Sequence, residues 1–145
     1  MTTSPALPHD PVLVVVDTNV LVSALLKPGS VPSQVVMRVL AGEATCCWDA
    51  RIVAEYTEVL ARPRFDFRPS DQRDVLTGLA AKAIPVIADR VEITLVDEDD
   101  RPFFEVAAAR AFLVTGNARH FPPHPLVTSP AAFLRLLDGR TPAIP

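Results

Sequence analysis

Residues 12–16, Val-Leu-Val-Val-Val, are apolar at every position, and Asp17-Thr18-Asn19 follow at once before a second apolar run begins at Val20. A strand with one wet face would alternate apolar and polar residues. An unbroken run of this kind belongs to a central parallel strand covered on both faces. Parallel strands need long crossovers, usually helices, so this one feature already points to an α/β architecture. It also sets a problem, because an ionised carboxylate at the end of a buried strand is costly unless it is paired. Asp17 is therefore either the N-cap of the next helix or the partner of something cationic.

The rest of the chain keeps the same alternation. The spacing predicts a short helix over 20–26, ending at the Pro28-Gly29 turn, and a helix through Val35, Val36, Val39 and Leu40. A strand is expected over 45–48, then an amphipathic helix carrying Ile52, Val53, Tyr56, Val59 and Leu60 that stops before Pro63. A longer helix is expected over 70–84, with Ser70 as cap and Pro85 as stop. Strands are expected over 91–96, 111–114 and 125–128, and helices over 102–110 and 131–137. Strands alternating with helices imply a three-layer α/β/α sandwich around a mainly parallel sheet.

Length and composition agree with a single domain. The chain has 145 residues, 49% of them apolar and 21% charged, which suits one packed core without disulfides. The domain is expected over 12–138, between an N-terminal tail, 1–11, and a C-terminal tail, 139–145, both rich in proline. Cys46 and Cys47 are adjacent and have no further cysteine to pair with, so a reducing compartment is expected and both thiols read as small core residues. No segment reads as a secretory signal, and no apolar stretch approaches the roughly 20 residues needed to span a bilayer. A soluble, cytoplasmic protein with no membrane partner is the expectation. The net charge of −3 provides no global attraction for nucleic acid, so any RNA contact must be local or metal-mediated.

Ligands of open α/β sheets bind beyond the carboxyl ends of the strands. Asp17 follows the first strand, Asp97, Asp99 and Asp100 follow 91–96, and Asn117 follows 111–114. Within the helix around Tyr56, Glu55 falls at the margin of the apolar stripe while Glu58 points away from it. Asp100 shares a face with Phe103, Phe104 and Ala107, whereas Asp97 and Asp99 are expected to be exposed. Three carboxylates aimed into one crevice repel each other, and either a proton or a cation must relieve them. All-oxygen ligands favour Mg²⁺ or Mn²⁺ over zinc, and such ions serve phosphodiester hydrolysis.

Four stretches, VVVDTNVLVSALL, IVAEYTEVL, DEDDRPFFEVAAA and LVTGNARHFP with a following VTSP, resemble the motifs of PIN-domain proteins, in particular the bacterial toxin components of toxin–antitoxin systems. The resemblance runs from about Val12 to Leu137. It implies a Mg²⁺- or Mn²⁺-dependent ribonuclease with RNA as substrate, a cognate antitoxin and a homodimer as possible assemblies, and Asp17, Glu55 and Asp100 as its acids. Asn19 matches a position that supports the first acid, and Thr115 precedes the fourth metal-site position. At that fourth position many relatives have Asp and this chain has Asn117, a neutral and weaker ligand.

Plainer readings stand beside these. Asp99 or Asp100 suits an N-cap before Pro102, and Glu55 suits an ordinary solvated helix position. His120 reads as a loop residue with a minor prospect of touching substrate or metal. Trp48 reads as packing. Arg51, Arg101 and Arg119 each fall near the carboxyl edge of an expected strand, where they make either a basic rim for phosphates or plain surface charge. Two other functions compete with the nuclease: a PIN-like RNA-binding or protein-interaction scaffold with little or no catalysis, and a phosphatase with Asp17 as covalent nucleophile. The phosphatase lacks its expected downstream Lys, since only Lys27 and Lys82 are present and neither follows a strand end.

Overall fold

A computed structural model of the chain describes residues 11–140. The apolar run forms β1 (Leu13–Val16), and its side chains at Val14, Val15 and Val16 are completely buried. It pairs in parallel with β2 (Thr45–Trp48) on one side and β4 (Phe112–Val114) on the other. The two-residue strands β3 (Ile84–Pro85) and β5 (Val127–Thr128) complete a five-stranded, all-parallel sheet of order β3-β2-β1-β4-β5. Leu13 stands opposite Thr45, and Val16 opposite Val114. This register brings the ends of β1 and β4 level.

Among the described residues five helices lie between these strands, α1 (Thr18–Leu26), α2 (Val31–Leu40), α3 (Ala50–Leu60), α4 (Pro69–Ala80) and α5 (Arg101–Ala108), and a sixth, α6 (Pro130–Arg140), follows β5. The path from β1 through β2 to β3 runs one way across the sheet, and the path from β3 to β4 runs back. Right-handed crossovers then place α1 to α4 on one face and α5 on the other. α5 lies on β1, β2 and β4, α2 packs against α1, α4 and α6, and α3 touches α1 and α4 and also reaches α5, where Tyr56 meets Phe103. The expected three-layer α/β sandwich is the observed fold. None of the six is long and apolar enough to cross a membrane.

Local chemistry sets the helix ends. The turn between α1 and α2 contains Gly29 at φ +84°, a conformation that favours glycine, and Ser30 then caps α2 by accepting from the Ser33 N–H at 3.3 Å. Asp49 caps α3 in the same way through Ile52 at 3.1 Å. Pro69 opens α4 one residue earlier than Ser70, at a position where the missing N–H costs nothing.

Two expectations are corrected. The helix expected over 70–84 ends at Ala80, and Ile84–Pro85 becomes the edge strand β3. Proline is tolerated there because an edge strand leaves one side unpaired. The segment 91–96 is not a strand. Its alternating burial is real, with Val91, Ile93 and Leu95 turned inward, but it pairs with no strand of the sheet. Its backbone is held by side chains instead: Arg101 donates to the carbonyls of Val91 and Ile93, both at 2.7 Å, and Glu105 accepts from the Val91 N–H at 3.0 Å. The expected tails lie outside the described residues except for Pro11, which is exposed, and for Gly139 and Arg140, which belong to α6.

Candidate active site

The sheet reverses its winding between β1 and β4, and such a switch point opens a crevice at the carboxyl ends of the two strands. Asp17 follows β1 into that crevice. It occupies the N-cap position of α1, yet its side chain caps nothing. Instead Oδ2 of Asp17 accepts a 2.7 Å hydrogen bond from the Thr115 hydroxyl, at the end of β4. Asp17 is only 5% exposed. Burial raises its proton affinity, partly offset by the Thr115 hydroxyl, the Thr18 N–H and nearby His120.

Glu55 reaches the same place from α3. The buried Tyr56 hydroxyl donates to the carbonyl of Val16, the last residue of β1, and thereby pins this turn of α3 against the strand end. The residue before Tyr56 is thus set beside the residue after Val16. The Thr18 hydroxyl donates to Glu55 Oε2. Burial raises the Glu55 pKa and the charges of Asp17 and Asp99 add to the rise, against the Thr18 hydrogen bond and Arg62. Glu58, one helical turn on, stays outside and pairs with Arg62 at 2.9 Å.

Asp100 stands at the N-cap position of α5 and, like Asp17, makes no capping bond with its side chain. Partial burial, then the charges of Asp17 and Asp97, push its pKa up to about 6, opposed by His120. The His120 Nδ1 lies 3.9 Å from Asp100 Oδ2. The plain capping role falls to Asp97, which accepts from the Asp99 N–H at 2.9 Å.

These side chains line one open cavity of about 360 Å³. Asp17, Glu55, Asp100, Asn19, Asn117 and His120 all border it, and so do the exposed Asp97 and Asp99. Thr115 is buried behind Asp17. Asn19 Oδ1 accepts from the Gly116 N–H at 3.4 Å, which ties the start of α1 to the loop after β4. The expected basic rim is placed elsewhere. Arg51 and Arg101 converge on the buried Glu105, at 2.8 Å and 3.5 Å, beside a separate cavity of about 460 Å³. Arg119 is exposed on the short 3-10 turn after Asn117 and does not line the acid cavity. The arginines that do are Arg62 and Arg64, which together with Phe65 form the opposite wall. Only their position after α3, in the stretch Arg62-Pro63-Arg64-Phe65, hinted at this in the sequence.

The sequence profile of the PIN domain matches residues 13–119, which includes every acid just described. The chain belongs to the PIN-domain family. No curated protein and no solved structure matches it significantly. PIN domains are generally nucleases and typically use divalent metal ions. The PIN cavity seen here suits such an ion by its chemistry, since carboxylates and an amide oxygen are hard donors and no thiol borders it. Among the described residues no three His, Cys, Asp or Glu side chains form a closed ligand set. The acids surround the cavity instead of meeting at a point.

Proposed function

We propose that this PIN domain is a Mg²⁺- or Mn²⁺-dependent endoribonuclease that hydrolyses RNA phosphodiester bonds. One observation carries the reading: Asp17, Glu55 and Asp100 come from three separate elements, border one cavity at the switch point of the sheet, and are all shifted towards protonation. A fold gains nothing from gathering repelling acids unless a cation answers them.

In this reading Asp17 is the central ligand, with Glu55 and Asp100 beside it. When bound, the divalent ion supplies the charge that neutralises the acids and activates water for attack on phosphorus. The protein's own part is orientation. Thr115 holds one oxygen of Asp17, Thr18 holds one oxygen of Glu55, and the Tyr56–Val16 contact sets the spacing between them. Asn117 contributes a neutral oxygen and its backbone N–H supports Thr115 at 3.0 Å. His120 faces Asp100 and stands close enough to meet substrate there.

The test is cleavage of a panel of unstructured RNAs with Mn²⁺ or Mg²⁺. Cleavage should vanish with chelation and in Asp17→Asn, and RNA degradation that survives both would refute the reading. The four motifs further support a toxin that acts in the cytoplasm and is restrained by an antitoxin, with a homodimer as the expected assembly. Growth arrest on expression of the wild type but not of Asp17→Asn is the outcome this extension requires.

The scaffold reading has one observation in its favour, the lack of a closed ligand set among the described residues. It predicts RNA binding that is the same with and without a divalent ion.

A further inference from the structure

Five carboxylates border the acid cavity, so an RNA backbone has to enter from a side that offers something else. That side is the turn between α3 and α4. Arg62 is already engaged with Glu58. Arg64 is exposed and takes part in no ion pair among the described residues; its guanidinium carbon lies 4.8 Å from the centre of the Phe65 ring. Phe67 stacks with Phe65 at 5.5 Å between ring centroids, with only 13° between the ring planes. The result is a pile of flat groups built around Phe65, which meets both the Arg64 guanidinium and the Phe67 ring, and of these Arg64 and Phe65 border the cavity.

The backbone is shaped to build this pile. Asp66 sits between the two rings at φ 53°, the one non-glycine residue with positive φ among the described residues. In an extended chain neighbours two apart share a face but lie too far apart to stack, and the left-handed residue folds the chain so that they meet. Gln72 then ties the turn down by donating to the Phe67 carbonyl at 2.9 Å. Packing against the core accounts for both rings, Phe65 and Phe67. It does not explain why Arg64, in no ion pair among the described residues, lies over the accessible part of Phe65 on the wall of an acidic cavity.

We propose that the Arg64–Phe65–Phe67 pile is a nucleobase platform, on which a base of single-stranded RNA stacks next to the bond to be cut. This rests on the nuclease reading of the acid cavity for its choice of RNA. Aromatic rings and guanidinium planes are the usual stacking surfaces for unpaired bases. A base held inside a duplex already has both faces covered, so the platform selects single strands, and it does so with little regard to sequence because every base has a flat face.

The experiment compares the binding of fluorescein-labelled oligoadenylate with that of an abasic ribose-phosphate strand of equal length, by anisotropy, with divalent ions omitted so that the strand stays intact. Both strands carry the same charge. The wild type should bind oligoadenylate about ten-fold more tightly. Arg64→Lys keeps the charge and loses the plane, and Phe65→Leu keeps the bulk and loses the ring; each should reduce that preference to two-fold or less. The thermal unfolding of both variants is followed alongside, and Arg64→Lys, being on the surface, serves if Phe65→Leu fails to fold. Equal wild-type affinity for the two strands overturns the platform, as does a preference that survives in the variants. If the preference is present and lost as expected, but the wild type cleaves no RNA with Mn²⁺, the platform stands and the nuclease reading fails.

Discussion

The hydroxyl of Thr115 donates to Oδ2 of Asp17 at 2.7 Å, joining two residues 98 positions apart at the ends of neighbouring strands. The same hydroxyl oxygen accepts from the Asn117 N–H at 3.0 Å. With that acceptor site used, the hydroxyl proton is directed at Asp17, which favours the ionised carboxylate. Thr115→Val keeps the shape and removes the donor. Its expected cost is about 1–2 kcal/mol of unfolding free energy at neutral pH, read from urea denaturation, together with weaker divalent-ion binding. Thr115→Ser should recover most of both. An unchanged midpoint in Thr115→Val would mean that water replaces the hydroxyl at no cost.

Divalent ions should stabilise the folded chain without any substrate. At a free Mn²⁺ concentration of about 100 times the dissociation constant, linkage gives roughly 2.7 kcal/mol, visible as a rise in the unfolding temperature. Asp17→Asn should lose the effect while leaving the metal-free protein folded. A shift of equal size in wild type and variant would place the ion elsewhere.

Raised acids give the metal-free protein an unusual pH profile. The Asp100 pKa is about 6 in the folded chain against an ordinary value of 3.8. Below the ordinary value both states are protonated and Asp100 contributes nothing. As the pH rises from 4 to 6 the unfolded chain ionises first, and the native state loses stability until Asp100 has itself ionised. The full shift corresponds to about 3 kcal/mol, and solvent screening at this half-buried site reduces it to the order of 1 kcal/mol. Asp100→Asn should therefore stabilise the metal-free protein above pH 6 and leave it unchanged near pH 3.5. Denaturation at both pH values in chelator tests this, and saturating Mn²⁺ should reverse the order of wild type and variant at the higher pH.

Arg101 holds the segment 91–96 through two backbone carbonyls. Its fork is planar and fixed, and a lysine ammonium cannot reproduce both bonds at once. Glu105, buried beside it, keeps a lowered pKa: burial raises it, but hydrogen bonds from Arg51, the Val91 N–H and Arg101, together with the Arg51 charge, prevail. Removing one partner of such a group typically costs about 3 kcal/mol. Arg101→Lys should destabilise the protein by roughly 1–2 kcal/mol and speed amide exchange selectively over 86–96. Uniform exchange along the chain would show that this clamp has no local role.

Much of this protein was determined by its sequence alone. The unbroken apolar run in β1, the helix-period stripes and the caps predict a parallel α/β sandwich, because burial on both faces leaves no polar positions and helical periodicity is a local property. Asp17, Glu55 and Asp100 were singled out in the sequence by a buried strand end, a stripe margin and a shared helix face. Each also suited an ordinary cap or solvated position, and only the fold shows that all three border one cavity. What remained closed to sequence reading was pairing at a distance. Val91, Ile93 and Leu95 alternate as a strand does, but the Val91 and Ile93 carbonyls and the Val91 N–H are taken by the side chains of Arg101 and Glu105, which lie further along the chain, and no ladder forms. Arg51 and Arg101 lie near strand ends in the chain, yet the buried Glu105 draws both away from the acid cavity. Arg64 and Phe65 border that cavity because they follow α3, which Tyr56 pins to the end of β1. Propensity and period are carried by neighbours in sequence; the choice of partner is made by packing between elements far apart in the chain, and only the tertiary structure decides it.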